Sequence, residues 1–341
     1  MPNFLFWSWG EKEKEEIKFE YKPIDPEKLE KLKQALKEFE KRTGEKLALV
    51  LPGGGALGAV QAGIIAWFYQ TGLIDYVTLI CGTSVGGLDT LTLAKNKKQF
   101  HKFIELWMNI KENKDVYDGI LEGGIGGLLA IIGQTFKDNG GKCILKPTGL
   151  HKILDKEFGD MKIKDLETEV VITATNYSTG KMAQFYSKMN QNVLCKDVAK
   201  MTSAIPIVFP TVEWNKDWYV DGGLGANSPI TTAIENGATK ILLIGTAPDN
   251  NGRANIKNDV ISVALRLEHV IMEVFEEWAW KEVEAYKSNP NNPTIEFFDT
   301  YPDFDGGSAL DFKNCRMNFV KGYEYAYKNI DIDKLIEFIK A

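Results

Sequence analysis

YVTLICGTSVGGLDTLTLAK, residues 76–95, joins an apolar run rich in β-branched residues to a segment with a helical pattern. Between the two lies the pentapeptide Gly82-Thr83-Ser84-Val85-Gly86, a G-x-S-x-G sequence. A serine at a sharp turn from a buried strand into a helix projects its hydroxyl out of the backbone, and the flanking glycines leave room for substrate. The N-terminus of the following helix favours negative charge that develops nearby. The position of Ser84 therefore predicts a nucleophile.

A glycine-rich loop follows the preceding apolar run, LALVLP (47–52). Gly53, Gly55 and Gly58 have the G-x-G-x-x-G spacing of loops that bind dinucleotide phosphates. Such a site also needs an acidic residue at the end of the second strand. This chain has none there, because Asp75 comes before that strand. The pattern without its acidic partner does not favour nucleotide binding.

The same loop gains a different role from its position beside the serine. Gly53, Gly54 and Gly55 follow the strand predicted to neighbour the one that ends at Ser84. Backbone N–H groups held in that position can donate to the oxyanion of a tetrahedral intermediate. The loop therefore predicts an oxyanion hole, which binds a negative oxygen formed during the reaction.

A serine nucleophile needs a group that takes its proton, and a carboxylate is the first alternative. Asp221 stands at the end of a predicted strand in WYVDGG (218–223), and Gly222 and Gly223 leave room beside it. A carboxylate that is close and partly desolvated can accept the proton directly. Asp221 is therefore the predicted general base.

Histidine is the second alternative for the base. His101, His151 and His269 each lie in a helical pattern, which is typical of solvated or capping histidines. Only the combination of Asp221 with His269 follows the Ser–Asp–His order of a triad. We prefer Asp221 alone and leave this triad open.

Apolar runs alternate with helical patterns along the chain, which indicates an α/β protein with a largely parallel, buried sheet. Predicted strands fall at 47–52, 76–82, 170–176, 181–186, 218–223, 240–247 and 293–299, and predicted helices at 58–72, 84–95, 258–287 and 313–339. Glycine and proline punctuate these segments without a low-complexity linker between them. The pattern therefore favours one large catalytic domain over two separate ones.

An N-terminal extension, residues 1–45, precedes this catalytic domain, which is predicted at 46–341. Asp25 as N-cap and Pro26 as first helical residue predict an amphipathic helix within the extension. The aromatic patch Phe4–Trp9 is expected to pack on the body of the protein, with insertion into a membrane surface as the alternative.

The 341 residues are 44% hydrophobic and 26% charged, with a net charge of −6. This balance does not favour nucleic acid as a partner and gives no attraction to an anionic membrane. Contact with lipid would therefore be mainly hydrophobic and transient. Four widely spaced cysteines predict buried free thiols, and the absence of a 20-residue apolar stretch indicates a cytoplasmic protein.

The segment 119–141 combines many glycines with the apolar sequence LLAII. Two interpretations are open. The segment is either a mobile apolar flap over a site or a buried turn with a short helix.

Three motifs in fixed order, GGGALG (53–58), GTSVG (82–86) and DGG (221–223), resemble those of the patatin-like phospholipases. Further stretches that fit are ATNYSTGKMAQFY (174–186), TSAIPIVFP (202–210), NSP (227–229) and KGYEYAY (321–327). The resemblance covers about residues 46–330 and implies a three-layer α/β/α fold and hydrolysis of acyl esters of lipids, of phospholipase A or lysophospholipase type. It also implies Ser84 as nucleophile, Asp221 as base, Gly53–Gly55 as oxyanion loop, and chemistry without metal or cofactor.

One position departs from the family pattern. Leu57 stands where these proteins usually carry Arg or Lys, so a preference for anionic phospholipids does not follow from the resemblance. Two other functions remain open, which are acyl transfer to an acceptor other than water and lipid binding without catalysis.

Overall fold

The computed structural model describes residues 17–119, 143–189, 192–246 and 260–341, without the side chains of 260–265, 268 and 269. The aromatic patch Phe4–Trp9 and the segment 119–141 beyond Gly119 lie outside the described residues. The interpretations of these two regions therefore stay predictions.

A sheet of eight strands forms the centre of the described structure. The strands are β1 Leu47–Leu51, β2 Leu79–Thr83, β3 Glu169–Asn176, β4 Lys181–Tyr186, β5 Val212–Trp214, β6 Asp217–Val220, β7 Lys240–Ile244 and β8 Glu296–Thr300. Their spatial order is β5–β6–β3–β2–β1–β7–β8, and β4 pairs with β3 outside this path. The pairs among β3, β2, β1, β7 and β8 are parallel, whereas β4, β5 and β6 make antiparallel pairs. The sheet is thus mainly parallel, as predicted.

Helices pack on this sheet. They are α1 Pro26–Glu40, α2 Gly58–Thr71, α3 Val85–Asn96, α4 His101–Asn109, α5 Thr148–Phe158, α6 Cys195–Thr202, α7 Gly223–Ala226, α8 Ile230–Glu235, α9 Val260–Ser288, α10 Cys315–Asn329 and α11 Ile332–Lys340. As far as the described residues extend, none of these helices is both long and apolar enough to cross a bilayer.

The central strands are buried on both faces. Leu47, Leu49 and Leu51 of β1 pack into an apolar cluster with α1, α2 and α10, whereas Ala48 and Val50 pack into a second cluster with α8 and α9. Because alternate residues point to opposite faces, a strand covered on both sides is apolar throughout. The result is a three-layer α/β/α fold, which confirms the predicted fold class. All four cysteines are buried as well.

The N-terminal helix α1 begins as the sequence predicts. The Asp25 carboxylate accepts a hydrogen bond of 2.9 Å from the N–H of Glu27, and Pro26 is the first helical residue. The buried side chains of α1 include Leu32 and Leu36, and the helix packs against α11. The extension is therefore continuous with the core of the fold along this helix.

The two edges of β3 bring distant parts of the chain together. On one edge β4 pairs with the whole stretch from Val171 to Asn176. The other edge is shared by β2, whose Thr83 lies opposite Thr173, and β6, whose Val220 lies opposite Thr175. Since β2 runs parallel to β3 and β6 runs antiparallel, the two strands point toward each other. Their carboxyl ends meet only two residues apart along β3, a separation of about 7 Å.

Candidate active site

Ser84 lies directly after β2 and directly before α3, as predicted. Its backbone has φ 54° and ψ −126°, a conformation that residues other than glycine rarely adopt. Such a strained backbone costs on the order of 1–3 kcal/mol and persists only where its surroundings impose it. Here the N–H of Ser84 donates to Thr202 Oγ1 at 2.8 Å, and that hydroxyl donates to the carbonyl of Thr173 at 2.7 Å.

The turn contains glycines because neighbouring backbone atoms leave no room for a Cβ. A Cβ on Gly86 would lie 2.0 Å from the carbonyl oxygen of Leu51, and one on Gly82 would lie 2.3 Å from the carbonyl oxygen of Gly86. Gly58 has the same constraint, since its Cβ would lie 2.4 Å from a methyl group of Val85. The turn that holds Ser84 therefore excludes larger residues at these positions.

Asp221 follows β6 and meets Ser84 at the shared edge of β3. Ser84 Oγ donates to Asp221 Oδ2 at 2.6 Å, and the N–H of Gly223 donates to Asp221 Oδ1 at 2.8 Å. The carboxyl is fully buried. Burial raises the pKa of Asp221 from its ordinary value to about 6, against the two hydrogen bonds, which lower it. The two donors thus partly offset the effect of burial on this carboxyl, which is out of contact with water.

The two glycines after Asp221 allow this contact. A Cβ on Gly222 would lie 2.4 Å from the carbonyl oxygen of Thr173, and one on Gly223 would lie 3.2 Å from Asp221 Oδ1. The backbone around the aspartate is also fixed, because its N–H donates to the carbonyl of Ala204 at 2.9 Å. The carboxylate therefore has little freedom to move away from Ser84.

The glycine loop lies against the serine. A Cβ on Gly53 would lie 2.9 Å from Ser84 Cβ, and Gly55 lines the same cavity as Ser84 with a φ of 56°. The N–H of Gly53 donates to the carbonyl of Asn227 at 3.3 Å. The N–H groups of Gly54 and Gly55, by contrast, donate to no acceptor within the described residues. Two backbone donors thus remain open in the predicted oxyanion loop.

An apolar cavity extends from Ser84 between α3, α4 and α5. It encloses about 770 Å³ of space, part of which is open to solvent. Its apolar lining includes Val85, Leu88, Leu106, Trp107, Ile110, Leu154, Phe158, Ile205, Phe209 and Phe312. A mainly apolar lining with a few polar groups is typical of pockets that hold apolar ligands.

The histidines stand apart from this arrangement. His101 begins α4 and is exposed, and His151 lies half-buried on α5, where burial lowers its pKa. Neither is among the residues that line the cavity. His269 lies on α9, but its side chain is not among the described atoms. Among described residues, the hydrogen-bond partner of Ser84 Oγ is therefore the aspartate.

Two residues of the site had no separate place in the sequence predictions. Thr202 accepts from the backbone of Ser84, and Asn227 has its Oδ1 buried and 2.7 Å from where a Cβ of Gly53 would stand. Both lie in stretches that matched the family pattern, TSAIPIVFP and NSP, which was the only signal for them. Leu57, the position of the missing basic residue, is buried in the core.

No group of three or more His, Cys, Asp or Glu side chains within the described residues is arranged to hold a metal ion.

The fold and site together define an α/β/α protein with a buried Ser–Asp pair at the end of an apolar cavity. The sequence model of the family described as patatin-like phospholipase matches residues 49–234, more than half of the chain. The chain belongs to the patatin-like phospholipase family. The matched range ends well before residue 330, to which the resemblance of individual stretches extended.

Curated relatives agree with this assignment. The chain is 29% identical over 191 residues to a cGAMP-activated phospholipase of Pseudomonas aeruginosa, and the matched region covers 53% of each chain. It is 27% identical over 228 residues to patatin-like protein 2 of Oryza sativa, which covers 57% of this chain and 53% of the relative. The chain thus spans about half the length of the curated relatives it matches.

Solved structures show a general likeness. Human GIVD cytosolic phospholipase A2 is 10% identical with a TM-score of 0.48, over 92% of this chain and 63% of that chain. VipD from Legionella pneumophila is 16% identical with a TM-score of 0.44, over 85% of this chain and 67% of that chain. At these TM-scores the likeness adds nothing to the site geometry.

Proposed function

We propose that the protein is a lipid acyl hydrolase, which cleaves carboxylic esters of lipids in the manner of a phospholipase A or lysophospholipase. The observation that carries the proposal is the 2.6 Å hydrogen bond from Ser84 Oγ to the buried carboxyl of Asp221. The adjoining cavity supports it, because its apolar lining suits an acyl chain whose ester carbonyl lies at Ser84.

In the first half of the reaction Ser84 Oγ attacks the ester carbonyl while its proton passes to Asp221 Oδ2. The open N–H groups of Gly54 and Gly55 would donate to the oxyanion that forms on the carbonyl oxygen. As the intermediate collapses, the bond to the alcohol oxygen breaks and Asp221 returns the proton to the leaving alcohol. The product is an acyl-enzyme ester on Ser84.

In the second half water attacks the acyl-enzyme, and Asp221 takes a proton from that water. Collapse of the second intermediate returns the proton to Ser84 Oγ and releases a fatty acid. A base must be ionised to accept a proton, and the pKa of about 6 leaves Asp221 suited to work near neutral pH.

The test is hydrolysis of a mixed lipid extract, followed by mass spectrometry, with the wild-type protein beside Ser84→Ala. We expect free fatty acids and matching lysolipids only with the wild type. Labelling with a fluorophosphonate, which reacts with activated serines, should likewise occur on the wild type and not on Ser84→Ala. A folded wild-type protein that releases no fatty acid and takes no label would refute the proposal and leave lipid binding without catalysis.

A further inference from the structure

A second buried aspartate lies close to the nucleophile, on the helix that follows it. Asp89 stands five residues after Ser84 on α3 and is 2% exposed. Its Oδ1 accepts a hydrogen bond of 2.8 Å from Trp107 Nε1. Its Oδ2 is buried and has no hydrogen-bond partner within the described residues. Such unpartnered buried oxygens are uncommon and call for an explanation.

Asp89 faces the same cavity as the nucleophile. Ser84, Leu88, Asp89 and Thr92 all line it, and their spacing places them along one side of α3. Since a helix rises 1.5 Å per residue, Asp89 lies roughly 7.5 Å further along the helix than Ser84. A carboxyl group therefore lies in the mainly apolar wall at that distance from the nucleophile.

The surroundings of Asp89 favour a neutral acid. Burial raises the pKa of this carboxyl well above its ordinary value, and the hydrogen bond from Trp107 only partly opposes the effect. In the neutral acid, with Oδ1 accepting from the indole, the proton resides on Oδ2, and Oδ2 is then a hydrogen-bond donor. Glu157, the other carboxyl in the lining, has hydrogen-bond donors of its own, since its side chain accepts from Asn96 at 2.7 Å and from Lys95 at 3.0 Å.

A donor in this position discriminates between acyl chains. A plain hydrocarbon chain that displaces water from the cavity leaves the Oδ2 hydroxyl without a partner, which is costly for a buried polar group. A chain that carries an oxygen atom at the right depth accepts the hydrogen bond instead. A site built to pair with a polar group rejects the analogue that lacks it.

We propose that Asp89 is a specificity-determining residue, which selects acyl chains that bear a hydroxyl, keto or epoxide oxygen part-way along the chain over unsubstituted hydrocarbon chains. This inference rests on the proposed function, because it assigns the acyl chain to this cavity.

The test compares p-nitrophenyl stearate with a series of p-nitrophenyl hydroxystearates that differ only in the position of the hydroxyl. For the wild-type protein, kcat/KM should peak at one position and exceed that of stearate by about 3- to 10-fold, the yield of one buried hydrogen bond. A flat profile across the series, or a profile below stearate throughout, would overturn the proposal without any variant.

Two variants whose side chains branch at Cγ, as that of Asp89 does, separate the loss of the hydrogen-bond donor from the loss of the side chain. Asp89→Leu removes the donor, and its kcat/KM ratio of hydroxystearate to stearate should fall to about 1 or below. Asp89→Asn keeps an N–H donor, and it should retain the positional peak. The same ratio in the wild type and Asp89→Leu would show that Asp89 does not select the chain.

Binding gives a readout that does not depend on hydrolysis. Displacement of a fluorescent fatty acid from Ser84→Ala should be more effective with the preferred hydroxystearic acid than with stearic acid, and adding Asp89→Leu should abolish that difference. If the preference appears in binding while the wild type cleaves no ester, the proposed hydrolysis fails and the role of Asp89 stands. If both acids displace the probe equally, the role of Asp89 fails whatever the activity.

Discussion

Asp221 and Asp89 are both buried carboxyls in the neighbourhood of Ser84, yet they differ in the number of described groups that donate to them. Asp221 receives hydrogen bonds on both oxygens, from Ser84 Oγ and from the N–H of Gly223. Among the described residues, Asp89 receives one, from Trp107. Donors stabilise the ionised form, so the pKa of Asp221 rises only to about 6, whereas that of Asp89 is raised well above its ordinary value.

The backbone explains why the donor counts differ. Asp221 stands at the end of β6, where the chain turns and the N–H of Gly223 is free to point back at the carboxylate. Asp89 lies within α3, where backbone N–H groups are already bonded to carbonyls one turn earlier. A carboxyl at a strand end can therefore be kept ionised by its own loop, and one inside a helix depends on side chains. Similar burial is therefore compatible with the opposite roles we propose, a proton acceptor for Asp221 and a hydrogen-bond donor for Asp89.

The largest expected effect separates the two aspartates by activity. Asp221→Asn should lower kcat/KM on p-nitrophenyl stearate by about 10³-fold or more, because the amide has a similar shape but cannot accept the serine proton. Asp89→Asn is the matched control and should stay within about tenfold of the wild type. Similar losses in the two variants would remove the distinction between base and selector.

The two aspartates should also differ in how they change the stability of the protein with pH. An aspartate whose pKa is raised on folding lowers the free energy of unfolding as pH rises from its unfolded pKa, near 4, to its folded pKa. Asn does not titrate, so Asp221→Asn should not lose stability in this way. The free energy of unfolding of the variant minus that of the wild type should therefore increase by about 3 kcal/mol between pH 4 and pH 6 and stay constant above pH 6.

For Asp89→Asn, the free energy of unfolding relative to the wild type should also increase with pH, and over a wider pH range. The reason is that fewer donors oppose the effect of burial on the pKa of Asp89. Urea denaturation of the wild type and both variants at several pH values measures both curves. A constant difference between wild type and Asp221→Asn across this range would contradict the raised pKa.

A smaller change in kcat/KM is expected when the pH is lowered. Because Asp221 must be ionised, kcat/KM on a neutral ester should fall about tenfold per unit below pH 6 and be level above it. The inflection near pH 6 is too close to that of a histidine, near 6.5, to identify the base alone. It should, however, be absent from the residual activity of Asp221→Asn. An unchanged inflection in that variant would assign it to another group.

The smallest effect is expected from the histidines. His101→Gln, His151→Gln and His269→Gln should each leave kcat/KM within a few-fold of the wild type, provided that circular dichroism shows an unchanged fold. The informative variant is His269→Gln, since Asp221 and His269 form the alternative triad. A loss of about 10³-fold in a folded His269→Gln protein would restore the triad.

The sequence predicted the parts of the site that depend on local geometry. A G-x-S-x-G turn after an apolar run placed Ser84 between a strand and a helix, and two glycines beside Asp221 predicted a crowded strand end. These features are readable because a glycine is required wherever a neighbouring backbone approaches too closely for a Cβ.

The tertiary structure decided what the local pattern could not. The sequence predicted a strand before Asp221 but not its direction, and only because β6 runs against β3 and meets β2 head-on does Asp221 reach Ser84. Likewise the helical pattern around Asp89 gave no sign of its surroundings. Its contact with Trp107, its place in the cavity wall, and the absence of a partner for Oδ2 among the described residues all depend on α4 packing across α3. Hydrogen bonds within a turn or a helix are fixed by neighbours in the chain, so sequence reveals them. Edge pairing and burial are fixed by residues far away in the chain, so they appear only when the whole fold is assembled.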